Sequence, residues 1–417
     1  MKPLNILLGL IIFFLIGLFA MNETKPAMAS AMQIAMTNTK GATLTSVKAS
    51  VQTAATTATK QSAKRTYIAI GVNDQVIPFY DAKPYIENST AYVPIRRIGE
   101  ALGGKVTYDS KTSSAVFTYN QRTMRFYIHK NEISIESISG TENGVIPATI
   151  FEIDGRTYVP LRLFGEKLGF RVDYLSGKGT VRLLDNPKHL SHNEFITKNS
   201  TSIVIERKEP KTAYLTFDDG PSRYTGQFIS ALSKYDIKAT FFQIGLNVKE
   251  YPKASKAEAQ AGHYIGIHSY SHDKSKVYYS PASFMNEITV TQNLIKQNAG
   301  FNTQLVRVPY GSKPYLTGDY RNVLAAEHYK LWDWNVDSDD WALGDNTTQI
   351  MANIKNGVAR MQRINSKEPL VILMHEKEAT AKILPQLIEY LHNQGYSLEK
   401  YAPGKNVEMN FWNDKRF

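Results

Sequence analysis

Not one of the 417 residues is cysteine. That excludes disulfides and thiolate metal sites, and it leaves imidazole and carboxylate as the available metal ligands. Missing too is any lysine or arginine run long enough to track a phosphate backbone, and no nucleic-acid-binding motif appears. The formal net charge is nevertheless +11, with a pI near 9.3. A basic balance of this kind suits other polyanionic surroundings, such as anionic lipid or an acidic cell-wall polymer. The apolar stretch Ile6 to Ala20 falls short of the roughly 20 residues a spanning helix needs.

What is present near the start reads as an export signal. Lys2 supplies a positive charge ahead of the apolar stretch, and Ala27-Met28-Ala29 before Ser30 is a small-x-small cleavage pattern. The expectation is an exported protein, extracellular or in the cell wall. Its only tie to a membrane would be an uncleaved signal acting as an anchor on the outer face. From 30 to 65, Ala, Thr, Ser, Lys and Gln dominate. Such a segment buries too little surface to offset its chain entropy and reads as a flexible tether. The length then leaves room for two or three domains, and 42% apolar residues is a globular proportion.

An internal repeat defines the first of them. "AYVPIRRIGEALGGKVTYD" at 91–109 returns as "TYVPLRLFGEKLGFRVDY" at 157–174, an offset of 66 (157 against 91). Each copy predicts a short strand, an amphipathic helix closed by Leu-Gly, and an alternating strand, with Leu102 and Leu168 buried at matching places. Residues 66–185 are therefore expected to form one α+β domain of two related halves. These residues resemble the copper amine oxidase N-terminal-like domain, a module of many exported bacterial proteins. Copper is not expected here, since His129 is the only histidine of the segment. Spacing or wall attachment is the role the resemblance implies.

From 205 to 405 strand-like and helix-like runs alternate. Strands are expected at 213–217, 238–243, 264–267, 304–308, 330–335 and 369–374, and helices at 225–234, 282–297, 346–360 and 380–393. That order predicts a parallel α/β sheet or barrel with its site at the C-terminal strand ends. Polar clusters stand at those ends. "TFDDGPS" (216–222) sets two carboxylates beside each other where a strand enters a turn, and a nearby cation would keep both charged. "HSYSH" places His268 and His272 four apart, a spacing at which one helical turn would aim both at a single ion. "RVPYG" (307–311) offers a fixed cation and a turn whose N–H can point inward. "WNVDSDDW" (334–341) crowds three carboxylates between tryptophans, and "LVILMHE" (370–376) ends an apolar run on His375. Taken singly, each has an ordinary structural explanation; five in one domain do not.

In this order the clusters resemble the five motifs of the polysaccharide deacetylases, the NodB-homology domain or carbohydrate esterase family 4. The resemblance implies a deformed (β/α) barrel holding one divalent metal ion, usually Zn2+, with Co2+ or another divalent ion as alternatives. It implies hydrolysis of N-acetyl, or in some members O-acetyl, groups on sugars. Carried over by position, Asp219, His268 and His272 would hold the metal. Asp218 would be the general base for the attacking water, with Arg307 setting its pKa. The backbone N–H of Tyr310 would stabilise the oxyanion, and His375, oriented by Asp340, would protonate the leaving amine. Trp341, Leu373 and Pro309 would line the substrate pocket. Asp337 competes with Asp340 for the fourth-motif carboxylate. Glu376 and Ile267 depart from the commoner Asp and Asn of the family. The implied substrate is peptidoglycan or a related N-acetylated glycan within anionic wall polymers. Chitin oligomers and acetylated xylan are the alternative substrates, and a non-catalytic wall-binding protein is the alternative of another class.

Overall fold

The two Tyr-Val-Pro copies become strands that pair with each other. Thr90–Pro94 and Arg156–Pro160 run antiparallel with Val93 opposite Val159, so the equivalent residues of the two copies meet at the centre. Each strand feeds a seven-residue helix, Ile95–Ala101 or Leu161–Lys167. A proline at the helix start fits because the first turn has no intrahelical use for its missing N–H. The glycines inside both helices have a packing reason. A Cβ at Gly99 would lie 2.8 Å from Val106, and one at Gly165 would lie 2.9 Å from Val172, the equivalent residue. Three antiparallel or mixed sheets surround these helices among the described residues. Val93, Ile98, Phe117, Phe126, Val159, Leu161 and Phe164 form their shared core. The expected α+β character holds.

The computed structural model describes residues 65–137, 144–405 and 407–417; the expected signal and tether lie outside these residues. Thr66–Phe417 cluster as one unit. The stretch between the two expected domains is helical. Ser191 caps His192–Lys198 through a reciprocal box with Glu194, and Ser200–Arg207 follows. Phe195 and Ile203 of these helices pack on Ala69 and Leu175, so the helices extend the first core.

The second half is a curled, all-parallel sheet. Its spatial order is Lys330–Leu331, Leu305–Val306, Tyr264–Ile267, Thr240–Gln243, Lys211–Gly220, Leu370–His375 and Val336–Asp337, with Tyr396–Glu399 also beside Lys211–Gly220. The expected strand 330–335 is corrected: it ends after Lys330–Leu331, and Val336–Asp337, just beyond its expected end, is a separate strand at the opposite end of the sheet. Buried Trp332 and Asp333 lie between them, and a single strand through 335 could not serve both edges.

Side-chain alternation sorts the sheet into two faces. Ala213, Leu215, Phe217, Ile372 and Met374 face the helices, with Phe228, Leu232, Ile288, Ile354 and Leu384. Tyr214 and Val371 face the interior of the curl, with Phe242, Tyr264, Leu305 and Trp332. Continuing along that inner face, the strands reach Thr216 and Asp218 on one side and Leu373 and His375 on the other. The two halves of the chain meet where Tyr80 packs edge-on to Tyr235 at 5.0 Å and accepts the Leu398 N–H at its carbonyl (2.9 Å). Asp81 pairs with Arg156 at the same seam. Burial pushes the Asp81 carboxyl up to about 6, against the opposing pull of Arg156.

Phe164 has no exposed surface and touches the rings of Phe117 and Phe126 at centroid distances of 5.1 and 5.9 Å. Phe164→Ala is expected to lower unfolding free energy by about 3–5 kcal/mol, read from urea denaturation, because the cavity between its helix and the sheet of Phe117 and Phe126 cannot fully collapse.

Candidate active site

The paired aspartates reach one cleft through a bulge. Thr216 and Phe217 face Thr240 and Phe241, but Gly220 faces Gln243, so one extra residue is carried in the Asp218–Asp219 segment. Asp218 keeps the inner-face direction of Thr216. Asp219 has φ of 66°, the left-handed region, which breaks alternation and turns its carboxylate into the same cleft. Asn247 Nδ2 fixes its carbonyl at 2.8 Å.

His268 and His272 come together by a different route from the one the spacing suggested. Residues 268–273 form no helical turn; positive φ at Ser269 (65°) and His272 (55°) coils the loop instead. Buried Glu287, on the Pro281–Ala299 helix, makes this possible by accepting the N–H groups of Tyr270 (2.9 Å) and Ser271 (2.7 Å). Those loop amides would otherwise be unsatisfied.

Asp219, His268 and His272 bring their ligand atoms within 4.8 Å of one another. Asp219 Oδ1 lies 3.5 Å from Nε2 of each histidine and has no hydrogen-bond partner despite being buried. His268 Nδ1 lies 2.7 Å from the Arg307 carbonyl. A carbonyl can only accept, so Nδ1 carries the proton and the Nε2 lone pair faces the cluster. Burial drives the His268 pKa down to about 3, so the ring is neutral. An orphaned carboxylate oxygen and two imidazoles fit a zinc-type divalent ion with an open coordination position.

Arg307 lies beneath this cluster with no exposed surface. Its guanidinium donates to Asp218 Oδ1 (3.0 Å), Thr216 Oγ1 (2.7 Å) and the carbonyls of Trp332 (2.9 Å) and Asp333 (3.0 Å). Burial raises the Asp218 pKa, and Arg307 and His375 pull against that rise. The carboxylate is thereby held as a base that is stronger than an exposed aspartate.

Opposite stands His375, register partner of Asp218 across the strand pair. Asp340 Oδ1 accepts from its Nδ1 at 2.7 Å, while Oδ2 accepts the His375 N–H (2.8 Å) and the Thr380 hydroxyl (2.5 Å). Of Asp340 and Asp337, it is Asp340 that hydrogen-bonds His375. Asp337 accepts from Trp334 Nε1 (3.0 Å) and the Asp339 N–H (2.9 Å) instead. Tyr310 has φ of 66°, and its backbone N–H has no partner among the described residues. Its ring lies 4.9 Å from that of His272. Pro309 is buried, with its carbonyl accepting from Tyr278 Oη (2.6 Å). Leu373 lies buried on the inner face, and Trp341 stands 62% exposed on the rim. Asp333, unremarked in the sequence, holds the 309–312 turn by accepting from Ser312 N–H (2.9 Å) and Oγ (2.6 Å) and from Phe411 N–H (2.7 Å).

Residues 206–331 match the polysaccharide deacetylase family, and residues 71–183 match the copper amine oxidase N-terminal domain. Over 215 residues the chain is 39% identical to a peptidoglycan-N-acetylglucosamine deacetylase of Bacillus cereus, which is 50% of this chain and 76% of that one. The chain belongs to the polysaccharide deacetylase family. The putative polysaccharide deacetylase YheN of Bacillus subtilis is 38% identical over 187 residues, covering 45% of this chain and 66% of its own length. A crystal structure of a Bacillus cereus polysaccharide deacetylase aligns with a TM-score of 0.46 and 38% identity, over 50% of this chain and all of that one. In the deacetylase domain the matched family segment ends at Leu331, so Asp340 and His375 lie beyond it.

The His375 pKa follows from its contacts. Burial alone would lower it, but the Asp340 hydrogen bond and the charges of Asp340, Asp218 and Asp219 outweigh burial and raise it to about 9. A raised folded-state value means that the pair's contribution to stability is complete below the unfolded value of about 6.5 and is lost as pH rises through about 9. Histidine NMR should show the His375 ring titrating near 9, and Asp340→Asn should move it to or below about 6.5. An unchanged titration in the variant would contradict this assignment.

Proposed function

We propose that the chain is an exported, metal-dependent hydrolase that removes N-acetyl groups from N-acetylglucosamine units of cell-wall peptidoglycan. The observation that carries the reading is the facing of two proton-handling pairs, Asp218–Arg307 and His375–Asp340, across the Asp219–His268–His272 cluster. A divalent ion held by those three residues would supply Lewis-acid polarisation of the acetyl carbonyl and lower the pKa of the water. Asp218 takes a proton as the water attacks the carbonyl carbon. The Tyr310 N–H, held in place by the Asp333-anchored turn, donates to the oxygen on which charge develops. His375 gives its proton to the amide nitrogen as the C–N bond breaks, leaving acetate and a free amine. Leu373 and Trp341 border the place of the acetyl methyl, with Pro309 shaping the turn opposite.

The substrate assignment draws on the Bacillus cereus relative, which is named for N-acetylglucosamine in peptidoglycan. The basic net charge agrees with an anionic wall, and the amines created there would lower lysozyme sensitivity. Acetate release by the purified protein from peptidoglycan and from chitin pentamer is the test, run with and without chelator. Release should be faster from peptidoglycan, should stop with chelator and return with Zn2+, and should fall by about 10³-fold or more in Asp218→Asn, the scale seen when a general base is removed. Equal lysozyme sensitivity and wall acetylation in a deletion strain would refute the peptidoglycan assignment. Wall binding without acetate release from any glycan would refute the enzyme.

A further inference from the structure

Glu376 follows the proposed general acid and is not solvent-facing; it lies buried directly behind the bulge. Its backbone N–H donates to the Asp218 carbonyl at 3.0 Å. Its carboxylate oxygen Oε2 accepts from the hydroxyls of Ser222 (2.9 Å) and Thr225 (2.7 Å), at the start of the Thr225–Lys234 helix. Oε1 lies so close to Gly220 that any Cβ there would collide with it. That contact explains why a glycine follows the two aspartates.

A second buried carboxyl meets this one. Glu258, on the Pro252–Gln260 helix, has no exposed surface. Its Oε2 accepts from Gln243 Nε2 (2.7 Å), and Gln243 Oε1 in turn accepts from Ser255 Oγ (2.9 Å). Gln243 is the register partner of Gly220, and its carbonyl accepts the His268 N–H at 2.9 Å. The remaining oxygens, Glu258 Oε1 and Glu376 Oε1, have no amide or hydroxyl donor; Glu376 lies against Gly220 and Glu258 against its register partner Gln243, so the two carboxyls are neighbours. Among the described residues no lysine, arginine or histidine pairs with either one; the facing groups are Ser222, Thr225, Gln243 and Ser255, all neutral.

Two carboxylates in this position would repel with nothing to offset them, so one must keep its proton. Burial first, and then the neighbouring Glu376, push the Glu258 pKa well above the carboxylate range. We infer that Glu258 is a neutral acid donating to the Glu376 carboxylate, and that this one-proton pair is a positioning device for the reaction. Through Glu376 it holds the Asp218 strand end against His375, and through Gln243 it holds the backbone of His268. Glu258 and Glu376 touch no substrate; they act through the residues that do. The inference rests on the deacetylase reading for its effect on rate, but the protonation state of the pair can be tested without it.

Infrared spectra of the metal-free protein at pH 8 should contain a protonated-carboxyl C=O band that Glu258→Gln removes. Its absence from the wild type, or its survival in Glu258→Gln, overturns the proposal. In kinetics on a soluble N-acetylglucosamine oligomer, Glu258→Ala should lower kcat about tenfold or more by misplacing reacting groups, with KM unchanged. Glu258→Gln, whose amide can still donate to Glu376, should restore most of that loss. A variant that lowers only the melting temperature, or a glutamine that rescues nothing, overturns the positioning role. Failure of the deacetylase reading would look different: the wild type itself would release no acetate while the infrared band remained.

Discussion

A guanidinium with no exposed surface is what the cleft is built around. Arg307 can lie under the strand ends because its guanidinium donates to Asp218, to Thr216 and to the carbonyls of Trp332 and Asp333. Burying such an ion without partners would cost several kcal/mol, and losing one partner of a buried pair costs about 3–5 kcal/mol. The bonds therefore fix position as well as charge. They tie the strand that carries the aspartates to the segment that leads into the acidic loop. The Arg307 carbonyl, on the same residue, orients His268. One residue thus sets the charge of the proposed base and the tautomer of a proposed metal ligand.

Around that ion the inner face of the curl is graded. At one end Tyr214, Tyr264, Trp332 and Tyr401 pack as an aromatic plug, and Phe242 lies under the guanidinium at 4.3 Å. At the other end the side chains become Thr216, Asp218, Leu373 and His375. A dry floor with a polar rim strengthens every charge interaction at the rim, which is what a hydrolytic site requires. The opposite face of the same strands is mainly apolar and carries the helices, with Gln243 meeting Glu258 as a polar exception. Stability and chemistry are therefore divided between the two faces of one sheet. Each strand contributes to both because neighbouring side chains point opposite ways.

The small domain follows a separate logic. Its two copies close on each other at Val93 and Val159 and share one core, while its contact with the barrel runs through Tyr80, Asp81 and Arg156. Asp236, on the barrel side, accepts from Arg156 at its carbonyl and pairs with Arg96. These polar pairs, with His392 and Glu206 at 2.9 Å, cross the seam and tie the two parts together.

The sequence alone determined the features that depend on composition and local order. These were the duplicated YVP units, the alternation of strands and helices, the helix Thr225–Lys234 to the residue, and the polar clusters that interrupt apolar runs at strand ends. Each leaves a local mark, because a buried strand is apolar and a charge at its tip stands out. Other features left no such mark. Asp340 and Asp337 are three residues apart in one acidic loop, and only the packing of that loop on His375 separates their roles. The His268–His272 spacing suggested a helical turn, but the ring geometry is set by positive φ values that Glu287 supports from a helix elsewhere. Asp333, Glu258 and Glu287 look like ordinary carboxylates along the chain. Their importance comes from burial and from partners 16 to 118 residues distant in sequence, such as Ser271 for Glu287, Ser312 and Phe411 for Asp333, and Glu376 for Glu258. Local sequence fixes which groups are available, whereas desolvation and long-range pairing fix what each one does, and those exist only once the chain has folded.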